Sequence, residues 1–518
     1  MSNAVPLLHD YLIDSARRLP EKIALVCQRQ RLSYAEIDAR SNALARALAR
    51  RGVERGDRVA VFADNTIETV VSFWAVLKAN AVITIVNPLT KANKLAYLLN
   101  DCRATALISD GHLASVLAEA AARSTHLKTV IISGAIDENR TRHLTGVVGW
   151  DNALQAESRA NPPVRRNIDI DLAAIVYTSG STGDPKGVML THRNMLTAAN
   201  SITAYLENVE DDVILNALPL SFDYGLYQMI MAFRMGARLV LERSFAYPAQ
   251  VLKLIIDEGV TGFPGVPTMF AILAEMKTLV QFDFSKIRYV TNTAASLPLK
   301  HITMLGELFP RAAIYSMYGL TECKRCTYLP PQYLKDKPTS VGIAIPNTEL
   351  WIVGADDQRL GPNQVGQLVI RGATVMKGYW EKPEATAKKL RPGPLPGEVV
   401  LYTGDYARLD EEGFLYFVGR MDDIIKSCGE KVAPKEVENA LTNIKGVKEA
   451  AVIGVPDDIL GQAIKAYVVL EEGVTMSDRE VMRECQRRLE HFMVPKCVVF
   501  VNDLPKTTTG KIKKTDLA

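Results

Sequence analysis

The sequence has 518 residues, more than one compact core usually organises, so we expect at least two domains. Hydrophobic residues make up 48% and charged residues 23%, values typical of a globular protein in water. A net charge of +3 is too balanced for a nucleic-acid binder, so we expect no nucleic-acid partner. We predict no secretion signal, because the first residues show neither a basic nor a long apolar region, and no integral membrane segment, because Lys78 and Asn80 interrupt the most apolar stretch. Seven scattered cysteines indicate reduced thiols and a cytoplasmic location.

Strand and helix patterns alternate in the first part of the chain. Ser33-Tyr-Ala-Glu36 is a capping-box pattern, which opens an amphipathic helix that ends near Gly52. Strands are predicted at residues 23–26, 31–32, 58–62 and 81–86, and a helix at 66–77. This alternation predicts an α/β fold with doubly wound layers.

The pattern changes after residue 345. Predicted strands at 349–353 and 367–371 flank a turn-rich run, which indicates a β-rich subdomain. From residue 419 onward, predicted helices at 434–441 and 477–489 and strands at 450–455 and 463–470 indicate a compact α+β unit, with a turn at 456–461. We therefore predict a large N-terminal domain over residues 1–419 and a small C-terminal domain over residues 420–518.

A loop of small and hydroxylated residues follows the predicted strand at 172–176. Glycines let backbone N–H groups turn toward a polyanion, hydroxyls add donors, and Lys186 supplies positive charge. The alternative is a flexible Gly/Ser surface loop, which the preceding strand and the fixed lysine disfavour. The predicted phosphate-binding residues are Thr178, Ser179, Gly180, Ser181, Thr182, Gly183 and Lys186.

This loop resembles the phosphate loop of the adenylate-forming (AMP-binding) superfamily, which includes acyl-CoA synthetases, stand-alone adenylation enzymes and luciferases. The resemblance covers nearly the whole chain, and four further motifs follow in the family's order. They are Tyr318-Gly-Leu-Thr-Glu322, Tyr402-Thr-Gly-Asp405, Gly419-Arg-Met-Asp422 and Pro505-Lys-Thr-Thr-Thr-Gly-Lys511. Five motifs in order make coincidence negligible.

The resemblance implies a role for each motif. Thr321 contacts phosphate and Glu322 helps to hold Mg²⁺, while Tyr318 belongs to the same ATP-binding motif. Asp405 and Arg420 bind the ribose of ATP. Lys511 is the catalytic lysine, Asp422 is the hinge about which a mobile C-terminal domain swings, and Gly429 lies in the loop that approaches a pantetheine arm.

These residue types suit the implied chemistry. A carboxylate that attacks the α-phosphorus of ATP joins two anions, so charge must be neutralised and the groups held in line. Mg²⁺ on Glu322 and the ammonium of Lys511 would do this. No side-chain base is needed, because a carboxylate is already ionised at neutral pH, so we interpret His192 as structural or on the surface.

The segment from Leu218 to Tyr227 resembles the family's acid pocket. Asp223 lies where amino-acid-activating members place the carboxylate that receives the substrate ammonium. The alternatives are that Asp223 pairs internally or caps the following helix. Lys324 and Arg325 are predicted to bind a second acidic group, to bind phosphates of the thiol acceptor, or to face solvent. Tyr224, Tyr227 and Thr293 are further candidate pocket residues.

The leading interpretation is an enzyme that converts a small carboxylic acid and ATP to acyl-AMP and pyrophosphate, then passes the acyl group to a pantetheine thiol. The thiol is CoA or the phosphopantetheine of an acyl carrier protein acting in trans. An amino-bearing acid is the leading substrate prediction, with a fatty or aryl acid as the alternative. An amide-forming enzyme that uses the same adenylate and a catalytically inactive binding module are the other classes considered, and a homodimer is left open as the assembly.

Overall fold

The computed structural model describes residues 6–144, 146–155, 161–178, 185–276, 279–293, 299–427, 430–457, 460–507 and 512–517. At positions 280, 422, 426, 430, 431 and 461 it describes the backbone alone. No helix in these ranges is both long and apolar enough to cross a bilayer.

The part of the chain up to residue 344 is built from alternating strands and helices. Its helices are α1 (Asp10–Arg18), α2 (Tyr34–Arg50), α3 (Ile67–Lys78), α4 (Ala92–Asp101), α5 (Ala114–Ala121), α6 (Glu138–Thr141), α7 (Trp150–Gln155), α8 (His192–Tyr205), α9 (Asp223–Met235), α10 (Pro248–Glu258), α11 (Pro267–Glu275) and α12 (Leu299–Leu308). Its strands are β1 (Ile23–Cys27), β2 (Gln30–Ser33), β3 (Arg58–Phe62), β4 (Val82–Val86), β5 (Ala104–Asp110), β6 (Thr129–Ser133), β7 (Val147–Gly149), β8 (Leu172–Thr178), β9 (Lys186–Thr191), β10 (Val213–Asn216), β11 (Arg238–Leu241), β12 (Gly262–Gly265), β13 (Tyr289–Asn292), β14 (Ala313–Leu320), β15 (Lys324–Tyr328) and β16 (Ile343–Ala344).

The rest of the chain is richer in strands. It contains β17 (Thr348–Val353), β18 (Gly366–Gly372), β19 (Gly378–Tyr379), α13 (Pro383–Lys389), β20 (Leu390–Pro392), β21 (Val399–Leu409), β22 (Leu415–Arg420), β23 (Ile425–Ser427), β24 (Glu430–Val432), α14 (Pro434–Thr442), β25 (Val447–Asp457), β26 (Gly461–Leu470), α15 (Asp478–Gln486) and β27 (Cys497–Phe500).

Two mixed sheets form the α/β layers of the N-terminal part. One has the strand order β16-β15-β14-β13-β12-β10-β11-β1-β2 and the other β19-β9-β8-β4-β3-β5-β6-β7. Most neighbouring strands in both sheets run parallel, and their apolar side chains pack with the helices into one extended core. The second sheet also has a core of its own on its other face. The predicted α/β fold class is confirmed.

Two further sheets follow in the chain. The sheet β17-β18-β21-β20, with β22 on β21, is the predicted β-rich subdomain and has its own apolar cluster. The sheet β24-β23-β26-β25, with β27 on β26, packs with α14 and α15 around a separate core. This last unit is the smaller α+β part of the molecule.

Several local predictions hold closely. Ser33 forms the predicted capping box with Glu36, and the strand predicted at 58–62 has those bounds. α2 ends at Arg50, two residues before Gly52. The turn predicted at 456–461 is wrong at both ends, because β25 continues through Pro456 to Asp457 and β26 begins at Gly461. Ladder pairing between these two long strands overrides the turn preference of Pro456.

Candidate active site

The phosphate loop leaves β8 at Thr178 and re-enters the sheet at Lys186. These two residues are paired across β8 and β9, and the Thr178 hydroxyl donates a hydrogen bond of 3.5 Å to the carbonyl oxygen of Lys186. The Lys186 ammonium lies 5.7 Å from the centre of the Tyr379 ring, within the range of a cation–π contact. The predicted residues Ser179, Gly180, Ser181, Thr182 and Gly183 lie outside the described part of the chain, so their roles stay predictions.

Glu322 lies in the turn between β14 and β15, directly after Thr321. Its carboxylate accepts a hydrogen bond of 2.7 Å from the hydroxyl of Tyr379, a residue of β19, which pairs with β9. Burial, and then the charge of Glu322, raise the pKa of Tyr379, so this hydroxyl stays a donor. Tyr379 was missed by sequence reasoning, because the aromatic pair after Gly378 belongs to none of the motifs used.

Tyr318, Asp405 and Arg420 meet where β14 faces the subdomain sheet. The Tyr318 hydroxyl donates a 2.5 Å hydrogen bond to Asp405 Oδ2, and Arg420 Nε lies 3.6 Å from Oδ1. Asp405 and Arg420 are also register partners on β21 and β22. The glycine before Asp405 is explained by its backbone, since Gly404 has a left-handed φ of 77°.

Burial raises the pKa of Asp405, and the hydrogen bond from Tyr318 and the charge of Arg420 only partly oppose this. Its Oδ1 is buried and has no hydrogen-bond partner among the described residues. A buried acceptor of this kind is rare and expensive unless a ligand satisfies it. The hydroxyls of a ribose are suitable donors, so this site fits the nucleotide that the motif implies.

These two groups belong to one site. Glu322 and Lys186 both contact Tyr379, and Tyr318 lies near the end of β14, just before the turn that holds Glu322. The structure therefore brings Lys186, Glu322, Tyr318, Asp405 and Arg420 together. The Glu322 carboxylate, in the turn after β14, is a suitable ligand for Mg²⁺. The Lys186 ammonium, at the start of β9, is a suitable partner for phosphate oxygens.

The predicted hinge lies between β22 and β23. Met421–Asp423 forms a short 3-10 turn there, which contains the backbone of Asp422. Gly429 and Lys511 lie outside the described residues, so the thiol-transfer loop and the catalytic lysine stay predictions.

The acid-pocket segment ends in helix α9, and Asp223 is its first residue. Phe222 is the N-cap residue, so the predicted cap role of Asp223 is wrong. Asp223 instead forms an ion pair, with its Oδ2 3.8 Å from the ammonium of Lys324. The internal-partner alternative is therefore the one that the geometry supports.

Lys324 and Arg325 are buried, so the alternative that they face solvent is wrong. Lys324 lies over the ring of Tyr227 at 5.7 Å, and Arg325 over the ring of Tyr224 at 4.6 Å. Tyr224 and Tyr227 are three residues apart on α9 and so share a helix face. Both cations therefore lie side by side against the start of α9.

The remaining pocket candidates lie on the neighbouring strand. Tyr224 donates a hydrogen bond of 2.8 Å to the carbonyl oxygen of Thr291 on β13. Thr293 is buried just past the end of this strand. Strand β13 thus contacts the acid-pocket helix α9 through Tyr224, and Thr293 follows that strand directly.

The comparisons with known proteins agree with this arrangement. The family model described as AMP-binding enzyme matches residues 12–380, and that of the AMP-binding enzyme C-terminal domain matches residues 436–511. A long-chain-fatty-acid–CoA ligase of Bacillus subtilis (strain 168) is 32% identical, over 98% of this chain and 94% of the relative.

Two further similar proteins are named for other carboxylic acids. A 3-[(3aS,4S,7aS)-7a-methyl-1,5-dioxo-octahydro-1H-inden-4-yl]propanoyl:CoA ligase of Rhodococcus jostii (strain RHA1) is 32% identical, over 97% of this chain and 96% of the relative. The crystal structure of the anthranilate CoA ligase AuaEII with anthranoyl-AMP superposes with a TM-score of 0.90 at 25% identity, covering 99% of this chain and 96% of that one. The chain therefore belongs to the AMP-binding enzyme family and is an AMP-forming acid–thiol ligase, which adenylates a carboxylic acid with ATP and forms a thioester.

Proposed function

We propose that this ligase activates a fatty or aryl acid and transfers it to CoA. The observation that carries the choice of acid is the ion pair between Asp223 and Lys324. A carboxylate that already has a buried cation beside it is a poor receptor for a substrate ammonium, because Lys324 already compensates its charge and would repel a second cation placed there. The amino-bearing acid, our leading prediction from sequence, therefore loses its main support.

In the first half-reaction, a carboxylate oxygen of the acid would bond to the α-phosphorus of ATP while the bond to the β-phosphate oxygen breaks and pyrophosphate leaves. Asp405, positioned by Tyr318, would hold the ribose, and Lys186 would balance the charge of the phosphates. Mg²⁺ held by Glu322 would add charge neutralisation at phosphate oxygens. Tyr379 would orient the Glu322 carboxylate through its hydrogen bond.

In the second half-reaction, the thiol of CoA would lose its proton to solvent and its sulfur would bond to the acyl carbon, while the bond from that carbon to the phosphate oxygen breaks and AMP leaves. The sequence motifs assign Lys511 to the first step and the loop of Gly429 to the second, with Asp422 as the pivot between them. A carrier protein in place of CoA is the alternative acceptor, and it would bring the same pantetheine sulfur.

The test measures pyrophosphate release with a panel of fatty, aryl and amino acids, and then thioester formation with CoA by mass spectrometry. We expect release and acyl-CoA with fatty or aryl acids. Lys186→Met should remove release, whereas Lys377→Met, at an exposed lysine before β19, should leave it unchanged. Release with amino acids alone, or acyl-AMP that reacts with a holo carrier protein but not with CoA, would overturn the proposal.

A further inference from the structure

Three polar groups converge at the start of α9 and form no hydrogen bonds with one another. They are the Asp223 carboxylate, the Lys324 ammonium 3.8 Å from it, and Tyr227, over whose ring this ammonium lies at 5.7 Å from the centre. Asp223 and Tyr227 are four residues apart and therefore face the same way on the helix. The charge of Asp223 is the second largest cause, after burial, of the raised pKa of Tyr227, which agrees with their closeness.

Two of these groups lack a hydrogen-bond partner although they are buried. Lys324 Nζ and Tyr227 Oη have no hydrogen-bond partner in the described part of the chain. The Lys324 side chain is 1% exposed and that of Asp223 is 15% exposed, and their charged atoms are 3.8 Å apart, too far for a hydrogen bond. Buried polar groups are normally satisfied, so this arrangement points to a ligand group that completes it.

The exposed fractions of the two charged side chains show that Asp223 lies nearer to solvent than Lys324. Asp223 borders a narrow gap between β4, β8 and the loop before α9, whereas Lys324 lies behind Asp223. The walls of the gap are apolar, and they include Ile83, Ile85, Val176, Leu220 and Leu226. A ligand in this gap therefore meets mostly apolar walls and a polar end at Ser221 and Asp223.

The charges decide which polar group fits that end. A second carboxylate would meet Asp223 first and be repelled by it. An ammonium could pair with Asp223, but it would lie beside the buried cation Lys324 and could not accept a hydrogen bond from it. A hydroxyl is neutral, donates to Asp223 and accepts from Lys324. An oxygen at about 2.8 Å from both atoms spans their 3.8 Å separation at an angle of about 85°.

We propose that the Asp223–Lys324 pair recognises a hydroxyl group, phenolic or aliphatic, on an otherwise apolar carboxylic acid. This inference rests on the proposed function, since it names the acid for the same adenylation site. Asp223, Lys324 and Tyr227 are then specificity-determining residues. An unsubstituted acid would leave the buried Lys324 ammonium without a hydrogen-bond partner, which is why the site should reject it.

The first test compares kcat/KM for pyrophosphate release within matched sets of acids. The aryl set is benzoate, its three hydroxy isomers, 3-aminobenzoate and isophthalate; the aliphatic set is hexadecanoate and 16-hydroxyhexadecanoate. We expect the best hydroxy acid to exceed its unsubstituted parent by about 100-fold or more, as for sites built to bind a substrate hydroxyl. A preference for the unsubstituted, amino or dicarboxylic acid overturns the inference while leaving adenylation intact. If none of the acids supports pyrophosphate release, the proposed function is overturned as well.

The second test removes the pair as a unit. In Asp223→Leu/Lys324→Met neither charge is left alone, and such exchanges of a buried pair for apolar residues are often tolerated. We expect the ratio of kcat/KM for the hydroxy acid to kcat/KM for the unsubstituted acid to fall toward one, chiefly because activity on the unsubstituted acid rises. The matched control is Asp169→Leu/Arg193→Met, which removes a surface ion pair and should keep the parental ratio. A parental ratio in the first double variant, with a parental melting temperature, overturns the assignment of these residues.

Discussion

Asp405 offers a direct test of the nucleotide site, because its burial has opposite consequences for folding and for binding. In the fold its pKa is raised, chiefly by burial. A raised pKa means that the contribution of this group to stability is present below the unfolded pKa and is lost as pH rises through the folded one. At neutral pH the ionised Asp405 therefore weakens the folded state until a ligand satisfies it.

The variant Asp405→Asn should show this separation. Its amide oxygen can still accept from Tyr318, and the lost ion pair to Arg420 is weak, because that arginine is 57% exposed and 3.6 Å away. Such pairs contribute about 0.2–1 kcal/mol, which removal of the buried charge offsets. We expect a melting temperature equal to or above that of the parent.

Binding should respond in the opposite direction. Each hydrogen bond from a ribose hydroxyl to a carboxylate contributes about 1.5–3 kcal/mol, so AMP should bind roughly 10- to 100-fold more weakly. Isothermal titration calorimetry with AMP measures this, and thermal unfolding at pH 7 measures stability.

Asp212 is a matched control for the same substitution. Its carboxylate is buried like that of Asp405 but accepts bonds of 2.6 and 2.8 Å from Arg288. Burial alone would raise the pKa of Asp212, but its hydrogen bonds, chiefly that from Arg288, outweigh this. The pKa therefore lies below its usual value. Asp212→Asn should therefore lower the melting temperature and leave AMP affinity unchanged. If Asp405→Asn destabilises as much as Asp212→Asn and binds AMP normally, Asp405 is structural and the reasoning fails.

Three further outcomes are expected. Lys511→Ala should abolish adenylate formation while thioester formation from chemically prepared acyl-AMP survives; equal loss of both in single-turnover assays contradicts this. Asp422→Pro should fix φ at the pivot, so pyrophosphate exchange stays near normal while thioester formation falls, and Asp422→Ala should retain both. Burial lowers the pKa of His9 and His192 to about 3. Their contribution to the free energy of unfolding is therefore fully present above pH 6.5 and is lost as the pH falls toward 3, by up to about 1.4 kcal/mol per pH unit for each histidine. His192→Asn should make this decline shallower in acid unfolding curves, and an unchanged slope would contradict the assignment.

Sequence reasoning succeeded where the signal is local. The Ser33–Glu36 capping box lies within one helical turn, and the strand at 58–62 is a short apolar run between turn signals. The predicted turn at Pro456 failed because pairing with β26 extends β25 beyond it. Such pairing is set by the partner strand, which no local window contains.

The contacts that define the site are mostly non-local. Tyr379 contacts Glu322 because β19 pairs with β9, a consequence of sheet order that no motif states. His192 gave a similar result: it was predicted to be structural or on the surface, and it is buried, with its Nδ1 accepting from the backbone of Leu8. Residue type indicated the chemistry of each position, but burial and partner came only from the assembled sheets.

Asp223 and Asp405 show how the same residue type takes different roles through its neighbours. Each is a carboxylate beside a tyrosine and a cation, yet Asp405 already accepts from Tyr318, whereas no hydrogen bond joins Asp223 to Tyr227 or Lys324. The cation beside Asp405 is largely exposed, but the one beside Asp223 is 1% exposed. A mostly buried pair resists a further charge more strongly than an exposed one, because the surrounding dielectric is lower. Asp405 therefore suits any nucleotide that carries a ribose, while Asp223 should discriminate among acids by one neutral group.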